Sequence, residues 1–192
     1  GTLNAGRLAA SADNLKDRVT VVDSRSISVS EGLIARRLAL ALEQGASVAE
    51  AAELAESLID RTKLFVTVPD IAGLVKSGRV SPVKGSIAGF LKLKPIIGLD
   101  ETGKANQEGM YRGDTGKEAV LKKIQKCIPA GASADFAICQ AEAEEDALWM
   151  KQQLESLYRC EHDVYIVPAA PALIAHAGLG ALGVAVILPE GA

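Results

Sequence analysis

The sequence predicts an α/β fold in two parts, on three observations. Short apolar runs alternate with helical patterns along all 192 residues, and this alternation is typical of α/β proteins. A composition of 48% hydrophobic and 23% charged residues is that of a globular chain with a substantial core. The residue pattern changes after Pro69, which predicts a first part over residues 1–68 and a second over residues 69–192.

The first part is predicted to hold two strands and two helices. Residues 19–23 and 64–68 are short apolar runs rich in valine, which indicates buried strands. One helix is expected over about 31–44, before a glycine that suits a helix end. Ser47 and Glu50 have the spacing of a capping box at the start of the next helix. That helix repeats apolar residues at the spacing of a single face: Ala51, Leu54, Ala55, Leu58 and Ile59.

The second part is predicted to continue the alternation. Its expected elements are a short helix at 71–76, a helical stretch at 83–91, a strand at 95–99, a hairpin back through 109–112, a helix at 115–126, a strand at 134–140, a long helix at 142–158, and closing strands at 164–167 and 184–188. Residues 100–103 have turn composition, which supports the hairpin.

The closing segment needs a test against a membrane span. No Asp, Glu, Lys or Arg occurs from residue 164 to residue 188, a length above the roughly 20 residues that a spanning helix needs. Pro168 and Pro171 interrupt this run, however, and three glycines follow. Its ends are rich in β-branched residues, so we predict two buried strands joined by a loop and reject a membrane span.

Composition also narrows the classes of function. Net charge is −3 and no basic stripe is present, which argues against nucleic acid binding. Three widely spaced cysteines and two histidines predict neither a disulfide framework nor a metal site. Reduced thiols and a pI near 5.5 favour a cytoplasmic location.

Residues 178–183 match the dinucleotide-binding pattern G-x-G-x-x-G. That motif works only where a helix begins at the glycines and faces the pyrophosphate. Here the glycines lead into Val184 and a strand-like run, and no acidic residue lies about 20 positions further on. We therefore interpret the segment as a loop of small residues that lets a ligand or a strand approach the backbone.

A few residues could bind a ligand, each with a plainer alternative. His176 lies among small apolar residues, where it is either a core residue or a donor to an anionic group. Arg79 lies in a glycine-containing loop, where its guanidinium is either solvated or donates hydrogen bonds to a carboxylate or phosphate. The patch of Ile87, Phe90 and Leu91 is either ordinary core or the wall of an apolar pocket.

Three segments together resemble the bacterial DegV family, in the family's order. Residues 19–26 resemble its strand ending in Asp-Ser, residues 77–80 and 89–97 its arginine loop and Lys-Pro-Ile strand entry, and residues 174–184 its closing His-x-Gly-x-Gly-Ala-Leu-Gly segment. The resemblance implies a DegV-like two-domain arrangement. The remainder of a parallel-sheet N-terminal domain would be followed by an α+β C-terminal domain with a mixed or antiparallel sheet.

The resemblance also implies a function. Such proteins bind a long-chain fatty acid, with the carboxylate at the domain junction and the tail in the C-terminal domain. They present the acid to a separate ATP-dependent fatty acid kinase that makes an acyl phosphate, so no cofactor and no catalysis by this chain are expected. The residues carried over are His176, Arg79, Gly1 and Thr2 for the head group, and Ile87, Phe90, Leu91 and Leu173 for the tail.

The chain departs from the family pattern at its start. Its first residues resemble the family's Ser-Gly-Thr-Tyr-x-Ser-Ala segment but begin one residue late, with Leu3 in place of Tyr. The family's head-group Ser would precede Gly1, so we expect the natural protein to extend further and the head-group site here to be incomplete. Leu179 also replaces the usual Pro, and Ala175 a common Thr. The alternative function is a small-molecule phosphotransferase related to dihydroxyacetone kinases, with His176 as its substrate-binding residue.

Overall fold

The structure, a computed structural model, describes residues 1–16, 18–70, 76, 78 and 93–191. In chain order, its elements are α1 (Thr2–Ala10), α2 (Val29–Glu43), α3 (Val48–Arg61), β1 (Thr62–Thr67), β2 (Leu93–Leu99), β3 (Ala105–Arg112), α4 (Gly116–Cys127), β4 (Ser133–Gln140), α5 (Glu144–Leu157), β5 (Arg159–Cys160), β6 (Tyr165–Pro168), α6 (Pro171–Ala177) and β7 (Leu182–Ile187). The α/β class is confirmed.

The seven strands form one mixed sheet in the order β3-β2-β1-β7-β4-β5, and β6 also pairs with β4. The pairs from β3 through to β4 are antiparallel, whereas β5 and β6 run parallel to β4. The expected mixed sheet is thus confirmed. Strand β1 precedes Pro69 yet pairs on both sides with strands that follow it, and the boundary between residues 68 and 69 stays a prediction.

Alternate residues of the central strands point to opposite layers, as the two-residue period of a strand requires. On one side, here called the α4/α5 face, the core includes Phe65, Phe136, Ile138, Val184, Met150 and Leu154. On the other, the α2/α3 face, it includes Leu33, Leu58, Leu64, Ala137, Cys139 and Ala185. The sheet is therefore covered on both sides.

Local sequence signals set the ends of the helices. The Glu50 N–H donates to Ser47 Oγ at 3.2 Å, and the Ser47 N–H donates to the Glu50 carboxylate at 2.8 Å. The capping box is therefore confirmed at the start of α3. Helix α2 ends at Glu43, just before Gly45 with φ of +97°. The hairpin of β2 and β3 and the long helix α5 also lie where the sequence predicts them.

Two predicted details are wrong. Residues 19–23 are not a strand, because no strand of the described residues pairs with them and an extended segment without a hydrogen-bonded neighbour has no ladder. The loop expected between the closing strands contains α6. Pro171 occupies the first turn of that helix, where its missing N–H and fixed φ are compatible with helix initiation.

Several predictions lie outside the described residues, namely the head-group residue Arg79, the tail residues Ile87, Phe90 and Leu91, and the helix at 83–91. Across the part of the chain that the structure does describe, every helix is too short or too polar to cross a membrane.

Candidate functional site

An apolar pocket lies at one end of the α2/α3 face, beside α6. It encloses about 80 Å³ and has twelve described lining residues. Leu64 and Val66 come from β1, Gly183 from β7, and Leu173 and Ile174 from α6. Strands at the centre of the sheet thus form its floor, and a short helix forms its wall.

The pocket exists because the strands carry small side chains here. On β4 and β7 the residues that face this layer include Ala137, Cys139, Gly183 and Ala185. A Cβ atom on Gly183 would lie 3.6 Å from the Val66 side chain and 3.8 Å from Cys139. Those are ordinary van der Waals distances, so even one methyl group at position 183 would occupy part of the space.

Ser28 is the only one of the twelve described lining residues with a side-chain oxygen. It is the N-cap of α2, but its hydroxyl caps no backbone N–H, and its φ of +60° is unusual for a non-glycine residue. Cys139 lines the same pocket as Ser28. Burial raises the pKa of the Cys139 thiol, and the Ser28 hydroxyl lowers it less, so the thiol is neutral at physiological pH.

The predicted tail residue Leu173 lines this pocket. His176 lies in the last turn of the same helix, half-buried, and is not among the described lining residues. Within the described ranges its imidazole makes no hydrogen bond or ion pair. Because residues three apart in a helix are neighbours, His176 lies next to Leu173, at the edge of the pocket.

The loop after α6 confirms that the glycine-rich motif does not begin a helix. Gly178 and Gly180 have φ of +84° and +80°, and the chain then enters β7 instead of a helix. A Cβ on either glycine would lie 3.6 Å from Asp70 or Pro69. The loop therefore packs against the end of β1, and it is not a dinucleotide-binding turn.

Gly1 and Thr2 lie at the start of α1, and both are exposed. That helix has no buried residue, and its contact with the rest of the chain includes Gly6, which lies close to Val21. No hydrogen bond among the described residues joins Gly1 or Thr2 to α6. Of the predicted site residues that the structure describes, Leu173 and His176 lie together on α6, whereas Gly1 and Thr2 lie at the start of α1.

A second, polar cleft of about 80 Å³ lies further along the same face and was not predicted. Arg25 donates to the Asp60 carboxylate at 2.8 Å and to the Glu101 carbonyl oxygen at 3.2 Å. Lys63 and Asp100 add one charge of each sign. Because its charges are mixed and Arg25 is already paired, this cleft shows no preference for an anion.

A carboxylate and histidine cluster was also missed. The buried Asp135 accepts from Arg37 at 2.7 Å and bonds to His162 Nδ1 at 2.8 Å, and Arg37 also bonds to Glu161. Burial would lower the pKa of Arg37, but its bonds to the two carboxylates raise it above the ordinary value. Asp135, Glu161 and His162 are close enough to share a metal ion, yet Arg37 already supplies the positive charge between the carboxylates.

Comparison with known proteins places these features in a family. The model of the DegV family of uncharacterised proteins matches residues 1–188. A DegV domain-containing protein, SA1258 of Staphylococcus aureus, is 29% identical over 189 residues, which are 97% of this chain and 66% of the relative. A Deinococcus radiodurans relative is 28% identical over 96% of this chain and 65% of its own length. The chain thus spans just under two thirds of these relatives.

Solved structures agree with the fold. A Thermotoga maritima protein described as a DegV lipid-binding protein superimposes with a TM-score of 0.81 at 25% identity, over 97% of this chain and 64% of that one. Another from the same organism, TM841, described as having a fatty-acid-binding function, gives 0.80 at 25% identity, over 98% and 65%. A Streptococcus pneumoniae fatty acid kinase B3 protein loaded with linoleic acid gives 0.86 at 24% identity, over 98% and 68%.

Proposed function

Because the chain belongs to the DegV family, we propose that it binds a long-chain fatty acid and presents the carboxylate to a separate ATP-dependent fatty acid kinase for acyl-phosphate formation. The observation that carries the proposal is the apolar pocket beside α6, which contains the predicted tail residue Leu173. Two solved relatives at 25% identity are themselves described as lipid-binding or fatty-acid-binding.

The pocket suits a hydrocarbon chain because its described lining is aliphatic apart from Ser28 and Cys139. Burying each methylene is worth about 0.8 kcal/mol, so a whole tail of about fifteen methylenes would supply roughly 12 kcal/mol of gross driving force. The pocket of about 80 Å³ takes a segment of that tail, since pockets that hold a whole drug-sized ligand enclose about 300–1,000 Å³. Ordering the ligand and the protein offsets a large part of that gain. The tail therefore sets the affinity, and a few polar groups at the pocket's edge select an acid.

The head group is proposed to lie beside His176, at the edge of the pocket. A carboxylate that is partly removed from water needs hydrogen-bond donors, and the imidazole of His176 is half-buried with no partner among the described residues. Arg79, Gly1 and Thr2 are proposed to complete this region, with Arg79 serving transfer to the kinase.

Binding of palmitic acid to delipidated protein tests the proposal. Leu173→Asp should weaken binding by more than about ten-fold, because it places an unpaired charge in the hydrocarbon pocket. Leu148→Asp is the matched control, since Leu148 lies on α5 with 49% of its surface exposed, and it should change the affinity by less than about two-fold. Circular dichroism should show that both variants fold.

Equal affinity of the two variants would place the tail elsewhere and contradict the proposal. The presenting role has its own readout, acyl-phosphate formation with the cognate kinase and ATP, which Arg79→Ala should lower far more than it lowers the affinity for palmitic acid. Covalent or tight retention of a small hydroxyketone on His176, without saturable binding of palmitic acid, would favour the phosphotransferase instead.

A further inference from the structure

We propose that Ser28 and Cys139 form a polar pair that adapts the pocket to hydroxylated acyl chains, so that a long-chain fatty acid with a hydroxyl on its hydrocarbon chain is accepted as well as a saturated one. This inference rests on the proposed function. It adds a substrate class to it and names the residues that would recognise that class.

The position of Ser28 is the first observation. A serine at an N-cap normally accepts a hydrogen bond from the first turn of its helix, which stabilises the helix. Ser28 makes no such bond at the start of α2, and its backbone has φ of +60° and ψ of −137°. Residues held in such sparsely populated conformations cluster at binding sites. The hydroxyl thus does not cap the helix, and the residue lines the pocket instead.

The neighbour of Ser28 in the pocket is the second observation. Cys139 lines the same pocket with only 8% of its surface exposed. Its thiol is therefore the other polar group that the Ser28 hydroxyl has beside it when the pocket holds a plain hydrocarbon chain. A thiol is a weak donor and a weak acceptor, so a ligand hydroxyl can bind Ser28 without displacing a strong partner.

The rest of the described lining is aliphatic, so this pair determines whether a hydroxyl on the acyl chain finds a hydrogen-bond partner. A hydroxyl placed in a wholly aliphatic pocket loses its hydrogen bonds to water and gains none. Ser28 can both donate and accept, and so can the ligand hydroxyl. A hydroxylated chain should thus lose its penalty only where its hydroxyl reaches Ser28, which predicts a preference that depends on the position of the hydroxyl along the chain.

The test compares stearic acid with a series of hydroxystearic acids in which the hydroxyl moves along the chain. Binding to delipidated protein gives, for each position, the ratio of hydroxystearic to stearic affinity. We expect a maximum in that ratio for the wild type. Ser28→Ala should lower the maximum by about three- to ten-fold, the worth of one hydrogen bond.

Two further variants exclude other causes. Ser28→Gly removes the hydroxyl and also the backbone strain, so it should lower the maximum as much as Ser28→Ala does. Ser26→Ala removes a hydroxyl from the same loop that bonds to Ser30 Oγ at 2.6 Å and lines the polar cleft, and it should leave the ratio unchanged. Cys139→Ala should keep the preference, since Ser28 then has the ligand as its partner.

The polar pair would be overturned if the affinity ratio of the wild type did not vary with hydroxyl position, or if the maximum survived Ser28→Ala. In either case, binding of stearic acid would still support the proposed function. If neither stearic nor any hydroxystearic acid binds, the proposed function itself fails. If only the hydroxylated acids bind, with a maximum that Ser28→Ala removes, the pair is supported and the substrate class becomes narrower than proposed.

Discussion

The two faces of the sheet differ in how far their side chains fill the space beneath the helices. On β4, Phe136 and Ile138 point to the α4/α5 face, whereas Ala137 and Cys139 point to the α2/α3 face. On β7, Val184 points to the α4/α5 face, whereas its small neighbours Gly183 and Ala185 point to the α2/α3 face. The same two strands therefore build a filled layer on one side and a layer with a pocket on the other.

The difference shows how a binding site arises without any irregularity in the sheet. The two-residue period of a strand assigns odd and even positions to opposite faces, so residue size on each face is set independently. Protein interiors are otherwise packed to near-crystalline density. Small residues on one face thus leave space that nearby helices do not fill, and the large residues on the other face supply the stability of the fold.

The largest expected effect sharpens this comparison directly. Phe136→Ala should lower the free energy of unfolding by about 3–5 kcal/mol, because the aromatic ring is fully buried among large neighbours and leaves a cavity. Cys139→Ala, three residues along the same strand but facing the pocket, should cost less than about 1.5 kcal/mol. Urea-induced unfolding measures both.

Similar losses for the two variants would mean that the pocket face is packed as tightly as the other face. The slope of the denaturant dependence provides a control, since it should be the same in both variants if each still unfolds in one step.

The second prediction contrasts two arginines of the α2/α3 face. Arg37→Ala should cost roughly 2–3 kcal/mol, because it leaves the carboxylate of Asp135, with a side chain only 3% exposed, without its cation. Arg25→Ala should cost less than about 1 kcal/mol, since its partner Asp60 has a side chain 71% exposed. Thermal unfolding at low salt and high salt compares them, and only the exposed pair should weaken clearly with salt.

Equal losses for the two arginines would show that burial of Asp135 does not strengthen its ion pair. Arg37→Lys provides a control, because a lysine keeps the charge and should recover part of the loss.

The features that could be predicted from the sequence are those that depend on residues close together along the chain. The capping box of Ser47 and the hairpin of β2 and β3 depend on residues within a few positions of each other, and both predictions are confirmed. The strand at residues 19–23 depended on a distant partner, and that prediction is wrong. The family resemblance pointed to Leu173, which lies in the pocket, although its role stays a prediction.

The rest of the site could not be predicted from local signals. The pocket assembles residues from four connecting segments, three strands and a helix. No spacing in the sequence relates Ser28 to Cys139 or Gly183. The one available signal was the alternation of large and small residues along β4 and β7. It indicates which face is poorly filled only once the partner strands and covering helices are known.

The third prediction uses pH to test the α4/α5 face. Burial raises the pKa of Tyr111 above its ordinary value of 10, Thr67 opposes this shift and the charge of Asp114 adds to it, so that the pKa is about 12. Between those pH values the unfolded chain loses the phenol proton and the folded chain keeps it, so the unfolded state binds fewer protons. Stability is therefore fully present below about pH 10 and falls as pH rises toward about 12, by roughly 1–2 kcal/mol for this group.

Between about pH 10 and pH 12, the free energy of unfolding should fall less in Tyr111→Phe than in the wild type. Urea unfolding at several pH values measures this difference. Tyr158→Phe and Tyr165→Phe are the comparisons, because burial raises the pKa of each of these phenols too. An alkaline loss unchanged by Tyr111→Phe would mean that water reaches the phenol in the folded protein.

The smallest expected effect contrasts two serines at helix starts on the α2/α3 face. Ser47 caps α3 through its hydroxyl and its box with Glu50, so Ser47→Ala should lower the free energy of unfolding by about 1 kcal/mol. Ser28 has the same position on α2 but caps nothing, so Ser28→Ala should cost only a few tenths of a kcal/mol. Urea unfolding of the two variants side by side, without lipid, gives the difference. A loss at Ser28 as large as that at Ser47 would show that its hydroxyl serves the helix after all, and a hydroxyl committed to α2 would not be available to a ligand in the pocket.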